Sequence, residues 1–279
     1  MKLKEYGPDV LKHLQKTELM ILKDFIQICE ENNLSYSIYA GSLLGAIRHK
    51  GFIPWDDDLD VVMFRDEFEK FREIFLASDN DKYELLTNEV EEDYCYFFSK
   101  FMLKNTRFEE SWMEDQFSFR IGFNIDIFIL EDSNDNKFKH YYITRKGFVY
   151  NRLMISSGLK LKDLPFMSKV ISHLIYDFLN FFKFNPRKIH QKCLRFLKNN
   201  SREDSEFVFD ISTTFAEFPL IYHRNDFKDL IQVEFEDILV NVPKNYDGIL
   251  TTLYGDYMEL PPEDKRYNHM VDYIDFGPY

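Results

Sequence analysis

The segment "GFIPWDDDLDVVMF" (51–64) sets four aspartates, Asp56, Asp57, Asp58 and Asp60, directly against an apolar run. Few local structures accept both halves. A solvated acidic turn, the usual meaning of a charge run, does not lead straight into "VVMF". A calcium loop would use Asp56, Asp58, Asp60 and Glu67, but it requires glycine at its sixth position, where this chain has Val61. An aspartyl nucleophile for phosphate transfer would want one exposed carboxylate at a strand end, not a cluster. A strand through "DLDVVMF" remains. Asp58 and Asp60 then project from one face, Leu59 and Val61 pack on the other, Asp57 turns away and Asp56 sits one step back. Two carboxylates side by side repel unless a divalent cation lies between them, and oxygen-only ligands favour Mg2+ or Mn2+.

A third acid stands in "GFNIDIFIL" (122–130), where Ile125, Ile127 and Ile129 line one face of a strand and Asp126 the other. A lone carboxylate in an apolar strand needs a partner, either a metal or a core arginine. The metal reading also answers the question raised by Asp58 and Asp60. Upstream, "AGS" (40–42) ends a strand at Gly41-Ser42 and opens a helix, an arrangement that can hold a phosphate on backbone N–H groups and the serine hydroxyl.

The remaining organisation is α+β. Apolar residues recur at Leu11, Leu14, Leu22, Phe25 and Cys29 with helical spacing, closed by Asn32 and Asn33. "LSYSIYA" (34–40) reads as a strand, "RDEFEKFREIFL" as a helix, and strands are expected around Tyr94–Leu103. The chain after Tyr141 reads as mainly helical. We therefore expect a core with a mixed sheet over 1–140, and a helix-rich part over 141–279 that completes the site. A formal net charge of −13 argues against a nucleic-acid partner. Cys29, Cys95 and Cys193 form no C-x-x-C pair, and no signal peptide or membrane span is evident, so a reduced, cytoplasmic setting is expected.

Gly41-Ser42, Asp58-Leu59-Asp60 and Asp126 together match the pattern of the DNA polymerase β-like nucleotidyltransferase fold. "YAGSLLGAIRHKGFIPWDDDLDVVM", with "CEENNLSY" before it, "GFNIDIFIL" after it and "PKNYDGILTTLYGDYMELPPEDKRYNH" near the C-terminus, resembles the LicD and fukutin-related family. Bacterial members transfer phosphocholine from CDP-choline to cell-surface glycans, and an animal relative transfers ribitol phosphate from CDP-ribitol. No Cys/His zinc ligand set like that of the animal enzyme is evident here.

The resemblance implies attack by a sugar hydroxyl of a lipid-linked glycan or teichoic-acid or lipopolysaccharide precursor on the choline-bearing phosphorus of CDP-choline, with CMP leaving. Asp58 and Asp60 would hold one or two ions. Asp126 would complete a second metal site or act as general base. Arg48, His49 and Lys50 lie within reach of the diphosphate, Arg48 being best suited to bidentate contact. Tyr254, Gly255, Arg266 and His269 would close over the site, although Gly255 could equally stop a helix. Choline would be held by an aromatic face, with Trp55, Tyr39 and Trp112 as candidates and Trp55 preferred. Transfer of another CDP-linked group, nucleotide transfer, and an inactive nucleotide- or glycan-binding module are the competing readings. Finally, residues 183–202 carry seven Lys or Arg and no acid, which is a solvated helix face or a contact with the inner face of an anionic membrane.

Overall fold

The computed structural model describes residues 7–110, 116–160, 166–212, 220–266, 268 and 271–279. Helix α1 (Pro8–Glu31) starts on a proline, buries Leu14, Ile21, Leu22, Phe25 and Cys29 along one stripe, and ends at Asn32, with Asn33 left-handed (φ 52°). There follow β1 (Ser37–Ile38), α2 (Ala40–His49), β2 (Asp60–Phe64), α3 (Arg65–Ala77), β3 (Tyr83–Leu86), β4 (Ser99–Leu103), β5 (Arg107–Glu110) and β6 (Asn124–Asp132). Then come α4 (Lys137–Gly158), α5 (Phe166–Phe181), α6 (Pro186–Asn200), β7 (Phe207–Asp210), β8 (Leu220–His223), α7 (Arg224–Lys228), β9 (Leu230–Phe235), β10 (Ile238–Pro243), α8 (Tyr246–Tyr254) and β11 (Val271–Asp275).

The main sheet is mixed and runs β1-β2-β6-β4-β3. β2 and β6 are parallel neighbours at its centre. The N-terminal part of β6 pairs with β4, and its C-terminal end pairs with β7, which leads on to β8. The parallel pair is buried as such pairs usually are: Val61, Val62 and Met63 are all covered, so β2 shows no alternation. β6 does alternate, with Ile125, Ile127 and Ile129 buried and Asn124, Asp126 and Phe128 only partly so. On one side of the sheet an aromatic core of Phe25, Phe71, Phe75, Tyr83 and Phe101 packs edge-on and stacked.

Several elements differ from the sequence reading. β1 is two residues long, β2 begins at Asp60 and not at Asp58, and the strand expected around 94–103 starts at Ser99. The helix-rich part after 141 also contains β7 to β11, two of which extend the main sheet. These strands are four to six residues long, and β7 and β11 take their partners from β6 and β5. A period-2 pattern that short cannot be separated from loop by sequence alone.

Candidate active site

Strand register assembles the centre of the site. In the parallel β2–β6 pair Asp60 lies opposite Asp126, and in the antiparallel β4–β6 pair Lys100 lies opposite the same residue. Residues opposite one another on neighbouring strands share a face, so Asp60, Asp126 and Lys100 form one row. Lys100 Nζ donates to Asp126 Oδ1 at 2.6 Å and to Asn124 Oδ1 at 3.1 Å, and stands 5.2 Å from the centre of the Phe98 ring. The partner of Asp126 is thus a core cation, and it is lysine, not arginine. Asp60 is 8% exposed. Burial, followed by the charges of Asp58, Asp126 and Asp56, pushes its carboxyl well above the usual range, while Lys100 pulls the other way.

The main chain around Asp60 is clamped. Its amide donates to Ser42 Oγ at 2.8 Å, and its carbonyl accepts from the Tyr39 amide at 3.0 Å. Ser42, expected at a phosphate, here fixes the D-x-D segment against the start of α2. That turn is strained: Ala40, a residue with a Cβ, holds φ 45°. Between α2 and β2 the loop folds back on the helix, and a Cβ on Gly45 would lie 2.5 Å from the Gly51 carbonyl oxygen, so glycine is required there. Asp56 Oδ2 lies over Gly41, 3.4 Å from where a Cβ would stand, and Gln15 of α1 donates to the Asp56 carbonyl at 2.9 Å.

Two more groups sense the cluster. Tyr254, 41% exposed at the end of α8, has its phenol pushed up by the covering of its inner part and then by Asp60, Asp56 and Asp58, which brings the C-terminal motif to the aspartates. Asp56 therefore belongs with Asp58 and Asp60. Asp57 is fully buried. Glu18 of α1, 2% exposed, was not foreseen. Burial and the charges of Asp58, Asp57, Asp56 and Asp126 raise its carboxyl well above normal, and its Oε2 has no hydrogen-bond partner among the described residues. Its signal was available, since position 18 falls on the apolar stripe four residues from Leu14 and from Leu22. Lys100 carried the same signal in "SKFML", a charge inside an apolar strand.

The expected rim residues divide. Arg48 donates from Nε to His49 Nε2 at 2.9 Å and from a terminal nitrogen to the Tyr257 carbonyl at 2.7 Å, tying α2 to the C-terminal segment. Its pKa is lowered by burial and then by Arg266, so the two cations are neighbours. The Arg266 guanidinium stands 5.3 Å from the centre of the Trp55 ring, and His49 meets the same ring edge-on at 6.4 Å. Arg48, Trp55, Tyr254 and Tyr257 line a cavity of about 450 Å³. Lys50 instead makes an exposed pair with Glu234 at 2.9 Å. Gly255 ends α8 at φ 69°. Tyr39 is buried and bonded to Tyr222 and Asp210. His269 and Trp112 lie outside the described residues.

The family model described as LicD/FKTN/FKRP, nucleotidyltransferase domain, matches residues 33–173, which hold Gly41, Ser42, the aspartates and Lys100. The chain is also 31% identical over 263 residues to the lipopolysaccharide cholinephosphotransferase LicD of Haemophilus influenzae, covering 94% of this chain and 96% of that protein. This chain belongs to the LicD and fukutin-related family. Shorter matches of 45% identity over 67 residues join it to uncharacterised proteins of Rickettsia prowazekii and Rickettsia typhi, covering 24% of this chain and 24% and 21% of theirs.

Among the described residues of this LicD-family chain, no three His, Cys, Asp or Glu side chains form an ion-binding group. The carboxylates that come nearest to such a group are oxygen donors, the type that a hard divalent cation takes. Asp60 and Asp126 oppose each other, Asp58 adds charge beside them, and Asp60 is held toward its protonated form in a way that a bound cation would reverse.

Proposed function

We propose that this chain transfers phosphocholine from CDP-choline to a sugar hydroxyl of a lipopolysaccharide or teichoic-acid precursor, releasing CMP. The observation that carries this reading is the register of Asp60 against Asp126 beside Lys100, in a chain with whole-length similarity to a cholinephosphotransferase. Family membership makes the chain a LicD-type transferase.

Asp58 and Asp60 would hold a magnesium or manganese ion, whose bound charge would neutralise the phosphate oxygens during displacement. Lys100 fixes the Asp126 carboxylate through a 2.6 Å charge-assisted bond. Held so, Asp126 either joins the ion's ligands or takes the proton from the attacking hydroxyl. Arg48 and Arg266, neighbours at the rim, supply positive charge to the donor diphosphate. Trp55 offers an aromatic face beside them, and Tyr254 brings a neutral phenol to the aspartates.

Purified protein is incubated with CDP-choline, magnesium and a glycan acceptor, and CMP and pyrophosphate are measured separately. CMP release is expected, falling by about a thousandfold in Asp58→Asn and Asp60→Asn, since charge neutralisation supplies most of the catalysis in phosphoryl transfer. Full CMP release by Asp58→Asn would overturn the mechanism. Pyrophosphate in place of CMP would assign nucleotide transfer, and turnover of CDP-ribitol alone would reassign the donor.

A further inference from the structure

Helix α5 is turned inside out. Met167, Ile171, Leu174, Phe178 and Phe181 recur at helical spacing along one stripe, and that stripe faces solvent: Leu174 is 64% exposed, Phe178 61% and Phe181 81%. The inner side carries the half-buried Ser172, His173 and Tyr176 and one buried apolar residue, Leu179. Ser172 Oγ and His173 Nε2 are covered and have no hydrogen-bond partner among the described residues. Polar contacts fix this orientation. Asn180 Nδ2 donates to the Ser157 carbonyl of α4 at 3.2 Å, and Asp177 pairs with Lys160, just beyond α4, at 3.3 Å. An apolar stripe of this length left in water marks a surface that another phase or molecule covers.

Charge identifies the occupant. Residues 136–202, from α4 through α6, hold fifteen Lys and Arg against two acids, in a chain whose formal charge is −13. α6 follows α5 directly, packs with it on α4, and exposes Lys188, Lys192 and Arg195 along one face. The turn between the two helices reads Phe181-Phe182-Lys183, all exposed, which is apolar anchorage with a cation that can reach back to a headgroup. A protein partner of ordinary composition would satisfy the apolar stripe without needing the surrounding excess of positive charge. An anionic bilayer satisfies both. α5 has sixteen residues, and no described helix is long and apolar enough to cross a membrane, so it lies in the interface.

We propose that α5 and α6 form a membrane-docking face, in which the Met167–Phe181 stripe enters the headgroup region of an anionic bilayer and the basic face of α6 contacts its phosphates. The proposal rests on this face and not on the transfer reaction.

The full chain is co-sedimented with vesicles of phosphatidylglycerol and phosphatidylcholine and with phosphatidylcholine vesicles alone, with no donor or acceptor present. The two readings therefore fail separately. Partition onto anionic vesicles is expected to exceed that onto neutral ones by about tenfold or more and to weaken as salt is raised. Leu174→Glu with Phe178→Glu, both solvent-facing, should abolish partition while leaving the circular dichroism melt unchanged. Lys188→Glu with Lys192→Glu and Arg195→Glu should remove only the preference for anionic lipid. Equal partition by wild type and the α5 variant, or by wild type and the α6 variant, would overturn the proposal. So would a concentration-dependent dimer, seen by light scattering, that the α5 variant dissolves.

Discussion

On β2 and β6 carboxylates stand inside the fold, Asp60 in register with Asp126; on α5 leucine and phenylalanine stand outside it, at Leu174 and Phe178. The first arrangement costs desolvation and repulsion, and the second leaves the hydrophobic contribution of a whole helix face unrealised. The protein also treats the two places differently. Around the aspartates it builds a clamp, with Ser42 and Tyr39 on the Asp60 backbone and Lys100 on Asp126. Around α5 none of the described residues covers the apolar stripe, and the helix is anchored from behind through Asn180 and Asp177. A rigidly held buried charge fits a ligand that must be placed to a fraction of an ångström, whereas an uncovered greasy face fits a fluid surface that demands no registry.

Lys100 offers the largest test of this contrast. Lys100→Met should lower transferase activity by about a hundredfold, as removal of one fixed charge at a reacting centre does. If Lys100 positions Asp126, Lys100→Arg should recover part of that activity, because it returns a cation to the carboxylate. Retained activity in Lys100→Met would reduce Lys100 to packing. Vesicle partition should be untouched, which separates the two regions within one variant.

A smaller effect is expected from Asp60→Asn without metal. The folded state holds the Asp60 proton more tightly than the unfolded chain, so wild-type stability is lost as pH rises above about 4 toward the raised native value. At pH 8 Asp60→Asn should melt about 3 °C higher than wild type, and the difference should vanish near pH 4. Magnesium should raise the melting temperature of wild type and not of the variant. A variant that melts lower at pH 8 would mean that the carboxylate is already compensated.

The last effect, spread over the widest pH range, concerns His190, buried in α6 beneath the basic face and beside Phe97 at 5.2 Å. Burial, reinforced by Arg65, lowers its pKa to about 3. The native ring stays neutral while the unfolded one protonates, so stability complete above pH 6.5 should fall toward pH 3. The slope is at most about 1.4 kcal/mol per pH unit from this residue. A His190 imidazole resonance, assigned by its loss in His190→Gln, that titrates near pH 6.5 in the folded protein would show that this layer admits charge.

Much of the site was legible because its chemistry is local. Asp58, Asp60 and Asp126 stood out as acids in strand-like runs, and Gly41, Ser42, Arg48 and Trp55 sit in the same continuous signature. Two residues that obey the same logic, Glu18 on a helix stripe and Lys100 in an apolar strand, became conspicuous only when their neighbours were placed. The basic run at 183–202 was visible, but its meaning depended on which face of α5 pointed outward, and hydrophobic periodicity gives a stripe without giving its direction.

The sequence by itself therefore determined the elements that its local pattern encodes: α1, α2, α3 and the β2 and β6 strands, and it marked three aspartates as candidates. Tertiary structure alone decided the row of Asp60, Asp126 and Lys100, the arrival of Tyr254 and Arg266 from the far end of the chain, and the outward turn of α5. Register between strands and the choice of buried helix face are set by contacts between residues distant in sequence, and no local window contains both partners.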